Sequence, residues 1–308
     1  FDDEALARVK RQTLLAIKQQ QEKPYYRLGR AWQEQIFGKH NYAKEEIGTA
    51  ETVKKLSKND LRNFISRYLT RGNIIISVVG DINSDELAAL LDKNLGLLPT
   101  EYRPDVKLTD VSLPRKSKQT VIVQDIPQTI VHFGMEGIKR DDPEYIAAYV
   151  MNYLLGGGTL NSKLNEELRE KRGLTYSASS VLTQMKHAAV FEGGFATRNE
   201  KAVEAVSVLK KLLQDFAEKG VSEAALADAK RFLVGSFVVK MDSNSDVVNF
   251  LTMMQLYHLG IDYMDKRNNL INSVTASQVG TVAKRLIQLD ELQIIMVGKP
   301  QMKGGGEP

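Results

Sequence analysis

Leu164 to Ser180 reads LNEELREKRGLTYSASS, and its hydrophobic period changes partway along. Leu160, Leu164, Glu167 and Leu168 keep helical spacing, and Gly173 suits the left-handed position just past a helix end. From Leu174 the period becomes two, with Leu174, Tyr176, Ala178 and Ser180 expected on one face of a strand. The stretch is therefore a helix–turn–strand corner, with Arg169 and Tyr176 seven residues apart across it. A fixed cation and a phenol at one corner are what is needed to hold a peptide carbonyl as it gains negative charge. On spacing alone, a surface arginine and a half-buried tyrosine at a structural corner are the more natural reading.

Working outward, LNSKLNEELREKRGLTYSASS is preceded by Gly156, Gly157 and Gly158. Together they resemble the second-domain signature of the pitrilysin/insulinase family of zinc metallopeptidases, the inverzincins, whose metal site is an H-x-x-E-H helix. A second stretch, IFGKHNYAKEEIGTAETVKKLSKNDLRNFISRYLTRGNIIISVVGDI from Ile36 to Ile82, is similar to the end of that family's first domain. The resemblance covers nearly the whole chain. It implies that Arg169 and Tyr176 face a zinc site across a closed chamber and help to hold the substrate.

The chain also repeats itself. A shift of 218 sets Leu56-Ser57-Lys58 on Val274-Thr275-Ala276, and Ile76-Ser77-Val78-Val79-Gly80 on Ile294-Ile295-Met296-Val297-Gly298. A shift of 220 sets Glu4 to Arg11 on Ala224 to Arg231. A period that long suits a duplicated compact domain and not a solenoid. The expected fold is α+β: two homologous domains, each a mostly antiparallel sheet with helices on one face. The expected boundaries are 1–98 for the end of the first domain, 99–118 for a linker carrying Pro99, Pro104 and Pro114, 119–300 for the second domain and 301–308 for a tail. Counting back one repeat places the start of the first copy about 110 residues before Phe1, so the first domain is expected to be truncated at its N-terminus. With Phe and not Met at its start, the chain is expected to be a fragment or a clipped product, with any H-x-x-E-H helix in the missing part.

In the complete copy the patterns predict strands over 120–125, 129–137, 174–182, 188–196 and 292–297. Helices are predicted over 143–155, 161–171, 200–219, 222–240, 245–259 and 276–289, with Ser222 and Thr275 as N-caps. In the first copy, Ile74 to Val79 reads as one buried strand. Gly156 to Gly158 read best as a stop between helices where positive φ is needed, and second as a flexible loop admitting substrate near a chamber.

Several function classes are set aside by composition. The net charge of +4 is small for 308 residues, and cations are interleaved with acids, so a nucleic-acid role has little support. No apolar run reaches membrane-spanning length. The absence of cysteine removes disulfides and thiolate metal sites. Bacterial members of the family that resemble this chain imply a periplasmic or envelope location.

The metal question separates an enzyme from a partner. The four histidines, His40, His132, His187 and His258, include no two within five positions, so no helical zinc pair is present. His40, in FGKHNY, reads as structural. The family's third zinc ligand is a glutamate in a context like V-L-x-E-I-K, but Thr13-Leu14-Leu15-Ala16-Ile17-Lys18 carries Ala16 there, and Val9 stands where a further glutamate is usual. Glu4 and Glu22 are out of register and read as solvated. Alanine offers no metal donor. The resemblance thus implies a non-catalytic, substrate-binding subunit of a heterodimeric zinc peptidase for short or unfolded peptides. Arg169 and Tyr176 come from this chain, with no catalytic or metal residue of its own. Zinc is expected on an H-x-x-E-H-bearing pitrilysin-type partner subunit, with self-association of this chain as the other pairing. The alternatives are a self-sufficient zinc peptidase with its metal helix in the missing part, and a non-proteolytic assembly subunit.

Overall fold

A computed structural model describes residues 1–104, 107–158 and 161–301. Leu160, residues 105–106 of the expected linker and residues 302–308 of the expected tail lie outside the described residues. In chain order the helices are α1 (Asp3–Gln20), α2 (Pro24–Phe37), α3 (Ala50–Lys55), α4 (Lys58–Tyr68), α5 (Ser84–Leu95), α6 (Tyr145–Asn152), α7 (Lys163–Asn165), α8 (Ala202–Lys219), α9 (Glu223–Val239), α10 (Asn244–Leu256), α11 (Tyr263–Ser273) and α12 (Ala276–Leu286). The strands are β1 (Lys118–Val123), β2 (Gln128–Glu136), β3 (Thr175–Gln184), β4 (Ala189–Arg198) and β5 (Gln293–Gly298). The fold is α+β, and the five strands fall close to the stretches where alternation predicts them.

Two compact units are present, and neither follows a single run of sequence. The second unit gathers Gln19–Glu45, Thr109–Leu233 and the described residues from Asn268 on. Its sheet has the order β1-β5-β2-β4-β3. Only β1 and β5 run parallel; the other neighbours are antiparallel. Every residue of β5 is buried, as a strand covered on both faces requires. On one face Phe133, Gly193 and Ser180 share a row. There the Ser180 hydroxyl donates to Asn152 Oδ1 at the end of α6, at 2.7 Å. On the opposite face α2 lays Leu28, Trp32 and Ile36, one residue per turn, against Ile130, Val190, Ile295 and Val297. Burying each of these three side chains is worth roughly 1.5–3 kcal/mol relative to leaving it exposed.

The first unit gathers Phe1–Lys18, Glu46–Leu108 and Val234–Arg267. The duplication is visible here in individual bonds. Lys10 Nζ donates to the carbonyls of Lys54 (2.7 Å) and Leu56 (2.8 Å), and its repeat, Lys230, donates to that of Asn272 at 2.9 Å. Ser57 forms a capping box with Asp60 at the start of α4, and Thr275 forms one with Gln278 at the start of α12. Gln35 of α2 bonds the Gln293 side chain at the start of β5 at 3.0 Å. Its repeat, Gln255 of α10, bonds Ser77 Oγ at 2.8 Å and the Ile76 carbonyl at 3.2 Å. The two copies exchange this helix: α2 belongs to the unit of the second copy's sheet, and α10 to the unit holding Ile74–Val79.

Ile74–Val79 departs from expectation. It forms no ladder and is not buried, with Ile75 43%, Ile76 37% and Val78 40% exposed. Its repeat, β5, is a buried strand because β1 and β2 flank it. Among the described residues no strand pairs with Ile74–Val79, and the Ile76 carbonyl accepts instead from the Gln255 side chain.

Candidate functional site

The corner begins with Asn165, on α7. Its side chain is 3% exposed, and Nδ2 donates to the Ala178 carbonyl at 2.8 Å while Oδ1 accepts from the Ala178 amide at 2.9 Å. One amide thus takes the place of a neighbouring strand at the edge of β3. Behind it, Ser162 Oγ accepts from the same Nδ2 at 3.0 Å. The element carrying Arg169 is thereby tied to the strand carrying Tyr176 by bonds that the low dielectric of the interior strengthens.

The expected helix over 161–171 does not run through as one α-helix. α7 passes into a π-turn over Glu166–Glu170, and Lys171 N bonds Glu166 O at 3.0 Å. Such turns re-aim the side chains they carry. Gly173 then takes φ +58°, the left-handed stop anticipated from the sequence.

Tyr176 is where strand alternation fails. Leu174, Ala178 and Ser180 are buried as predicted, but Tyr176 is 85% exposed and not half-buried. The ladder with β4 slips between Thr175 and Ala178, and this bulge removes Tyr176 from the buried row. Thr175 Oγ1 holds the bulge, lying 2.8 Å from the carbonyls of both Ser177 and Ala196. Turned outward, the Tyr176 ring meets Arg169, whose guanidinium carbon lies 5.6 Å from the ring centre.

The charges around Arg169 are disposed unequally. Lys163 pairs with Glu166, Lys171 with Glu166 and Glu167, and Arg172 with Glu167. Hydrogen bonds from Lys163 and Lys171 hold the Glu166 carboxyl below the usual carboxylate range, and the Lys171 bond does the same for Glu167. Among the described residues, Arg169 has no carboxylate partner. It is the one cation of this segment whose donors are not already committed.

Gly156 to Gly158 prove to be required by close approach and not by backbone sign. None of the three has positive φ. A Cβ on Gly156 would lie 2.4 Å from Ser180 Oγ and 2.7 Å from Ser180 N, and one on Gly158 would lie 2.8 Å from the Tyr153 carbonyl. Gly156 lets the π-turn Tyr153–Gly157 press against β3, while Gly157 and Gly158 make room for Asn152 and Tyr153 of the preceding turn.

The histidines are dispersed. His40 caps a turn, its Nδ1 accepting from Tyr42 N at 3.1 Å. His187 meets Asp110 at 3.2 Å, His132 meets Glu192 at 3.1 Å, and His258 follows α10 at φ 52°. Among the described residues no group of three or more His, Cys, Asp or Glu is placed to hold a metal ion. Ala16 and Val9 lie two turns apart on α1, with Val9 50% exposed. The donor set present therefore does not fit a zinc ion. Sequence reasoning did not find Asn165, Asn152 or the His132–Glu192 pair, because a lone buried polar residue leaves no periodic signal.

The chain is thus an α+β duplication with an Arg169–Tyr176 corner and no assembled group of metal donors among the described residues. The family model for the peptidase M16 inactive domain matches residues 55–233. The chain belongs to that family, in keeping with the pitrilysin/insulinase resemblance. It is 26% identical over 300 residues to the non-peptidase homolog YmxG of Helicobacter pylori, covering 96% of this chain and 68% of that protein. It is 27% identical over 260 residues to an uncharacterized zinc protease of Mycobacterium tuberculosis, Rv2782c, covering 82% of this chain and 58% of that one. The crystal structure of a peptidase M16 inactive domain from Pseudomonas fluorescens superposes with a TM-score of 0.90 at 28% identity, over 98% of this chain and 71% of that one. The chain thus spans between about three-fifths and seven-tenths of the length of these relatives.

Proposed function

We propose that this chain is the substrate-binding, non-catalytic half of a two-subunit zinc peptidase acting on short or unfolded peptides. The observation that carries this reading is the Arg169–Tyr176 corner: an uncommitted guanidinium beside an exposed phenol, fixed by Asn165 to the edge of the sheet. Both groups are donors, and a peptide carbonyl is an acceptor that becomes more basic as it is attacked. An H-x-x-E-H-bearing M16 subunit is the proposed partner and the proposed holder of the zinc. A periplasmic or envelope location belongs to the same proposal.

A scaffold reading draws on the name of the H. pylori relative, and a self-sufficient peptidase reading on that of the M. tuberculosis relative. An assembly subunit has no use for an uncommitted Arg169, which favours the peptide-binding role. The test is turnover of a quenched unfolded peptide by the assembled pair, comparing Arg169→Ala with the natural residue. Lost turnover with intact pairing supports the assignment; unchanged turnover and peptide binding would remove Arg169 from the site.

A further inference from the structure

A second site lies on the α2 face of the sheet. Where α2 leaves β3 and β4 uncovered, a cavity of about 390 Å³ opens, walled by Tyr25, Leu28 and Val181. Its floor includes the row His132–Gly194–Ser179 across three strands. Gly194 leaves the middle of that row bare: a Cβ there would stand 3.5 Å from His132 Nδ1. Among the described lining residues Glu192 is the only carboxylate, and none is Lys or Arg.

The bonding around His132 engages one ring nitrogen and leaves the other without a partner among the described residues. Nε2 lies 3.1 Å from Glu192 Oε2. The other Glu192 oxygen accepts from Thr183 Oγ1. Burial pushes the Glu192 carboxyl up, but the bonds from His132, Thr183 and Trp32 together hold it below the usual range, so it is ionised. An ionised carboxylate only accepts, so Nε2 carries the hydrogen, and in the neutral imidazole Nδ1 then presents its lone pair. The Trp32 ring fixes the imidazole edge-on, with centres 4.4 Å apart. Nδ1 has no hydrogen-bond partner among the described residues.

We propose that this groove binds a primary ammonium group on a short apolar body, with His132 Nδ1 accepting its hydrogen bond and Glu192, behind the imidazole, supplying the opposite charge. A lysine side chain and the amino end of a peptide both present this chemistry. The groups facing His132 are Glu192 from β4, Thr183 and Ser179 from β3, and Trp32 and Tyr25 from α2. Of these, only Glu192 is charged.

The test is carried out on the whole chain alone, by following the imidazole nitrogens by ¹⁵N NMR, with His132 assigned from a His132→Gln spectrum. The probes are n-butylammonium, n-butanol, N-acetyl-lysine amide (side-chain amine only) and alanyl-alanine amide (terminal amine only). A saturable shift of His132 Nδ1 with n-butylammonium and none with n-butanol is expected, and the last two probes distinguish the sources. Glu192→Gln should weaken binding about tenfold, the scale of one charge-assisted hydrogen bond. Ser179→Phe, at an exposed position, should abolish binding by filling the groove while leaving the His132–Glu192 pair in place. No saturable shift, an equal response to n-butanol, or unchanged affinity in both variants would overturn the proposal. None of these readouts depends on peptidase activity.

Discussion

The Arg169 guanidinium lies 5.6 Å from the centre of the Tyr176 ring, across a corner whose two sides are joined by the Asn165 side chain. At that separation a cation is attracted to the ring face, which holds the guanidinium in place without using its hydrogen-bond donors. The two residues therefore carry separable parts of one role.

If they hold a peptide carbonyl, Arg169→Ala lowers the turnover of the assembled pair by about a hundredfold, the scale of losing one donor to a developing oxyanion. Tyr176→Phe keeps the ring beneath Arg169 and removes only the hydroxyl, so a smaller loss, about tenfold, is expected. Steady-state kinetics of the two variants with one quenched peptide checks both. Equal losses would mean that the phenol serves the site chiefly through its hydroxyl.

Asn165→Ala strips partners from both backbone groups of Ala178, at a position 3% exposed. Two buried groups left unpaired cost about 3 kcal/mol in all. Urea unfolding of the chain measures it, with the exposed Ser177→Ala as a control expected to change stability little.

Two glycines of the corner should respond differently to alanine. Gly156→Ala places a methyl 2.4 Å from Ser180 Oγ and 2.5 Å from Leu164 Cδ1, against packed neighbours that cannot all retreat. Gly173→Ala meets nothing within 4 Å and bears only the cost of φ +58°, about 1–2 kcal/mol. Thermal unfolding should rank Gly156→Ala as clearly the more damaging.

Acid should weaken the second unit through two carboxyls held below their usual range. Asp142 is held down by its bond to Arg285, at 2.7 Å. Glu192 is pushed up by burial and brought below its ordinary value by bonds from His132, Thr183 and Trp32. Each folded value lies below the unfolded one, so the stability they contribute is complete above the ordinary values of 3.8 and 4.5 and is lost as pH falls through the folded values. Asp142→Asn and Glu192→Gln should each lower stability at neutral pH and flatten its fall below pH 4.5, read from denaturant midpoints across the acid range.

Much of this fold is legible in the sequence because most of its elements keep one clean period. The strands of the second copy alternate between two packed faces, and the repeat of Lys10 and Ser57 in Lys230 and Thr275 marks the duplication before any contact is known. α11 escapes because Arg267, its guanidinium 4.2 Å from the Phe237 ring, occupies the buried stripe between Tyr263 and Ile271 and interrupts its apolar period. Tyr176 misleads for a related reason: a bulge adds one residue, and alternation carries no sign of it. The exchange of α2 and α10 is hidden because an apolar stripe such as Leu28, Trp32 and Ile36 specifies that a face is buried, and not which sheet buries it.

The most direct test is the zinc content and peptide hydrolysis of the intact natural protein containing this chain, purified alone. Substoichiometric zinc and no hydrolysis, with turnover appearing when an H-x-x-E-H-bearing M16 subunit is added, is the expected result. One equivalent of zinc with turnover by the isolated protein would contradict the partner role and make this protein the enzyme, despite Ala16.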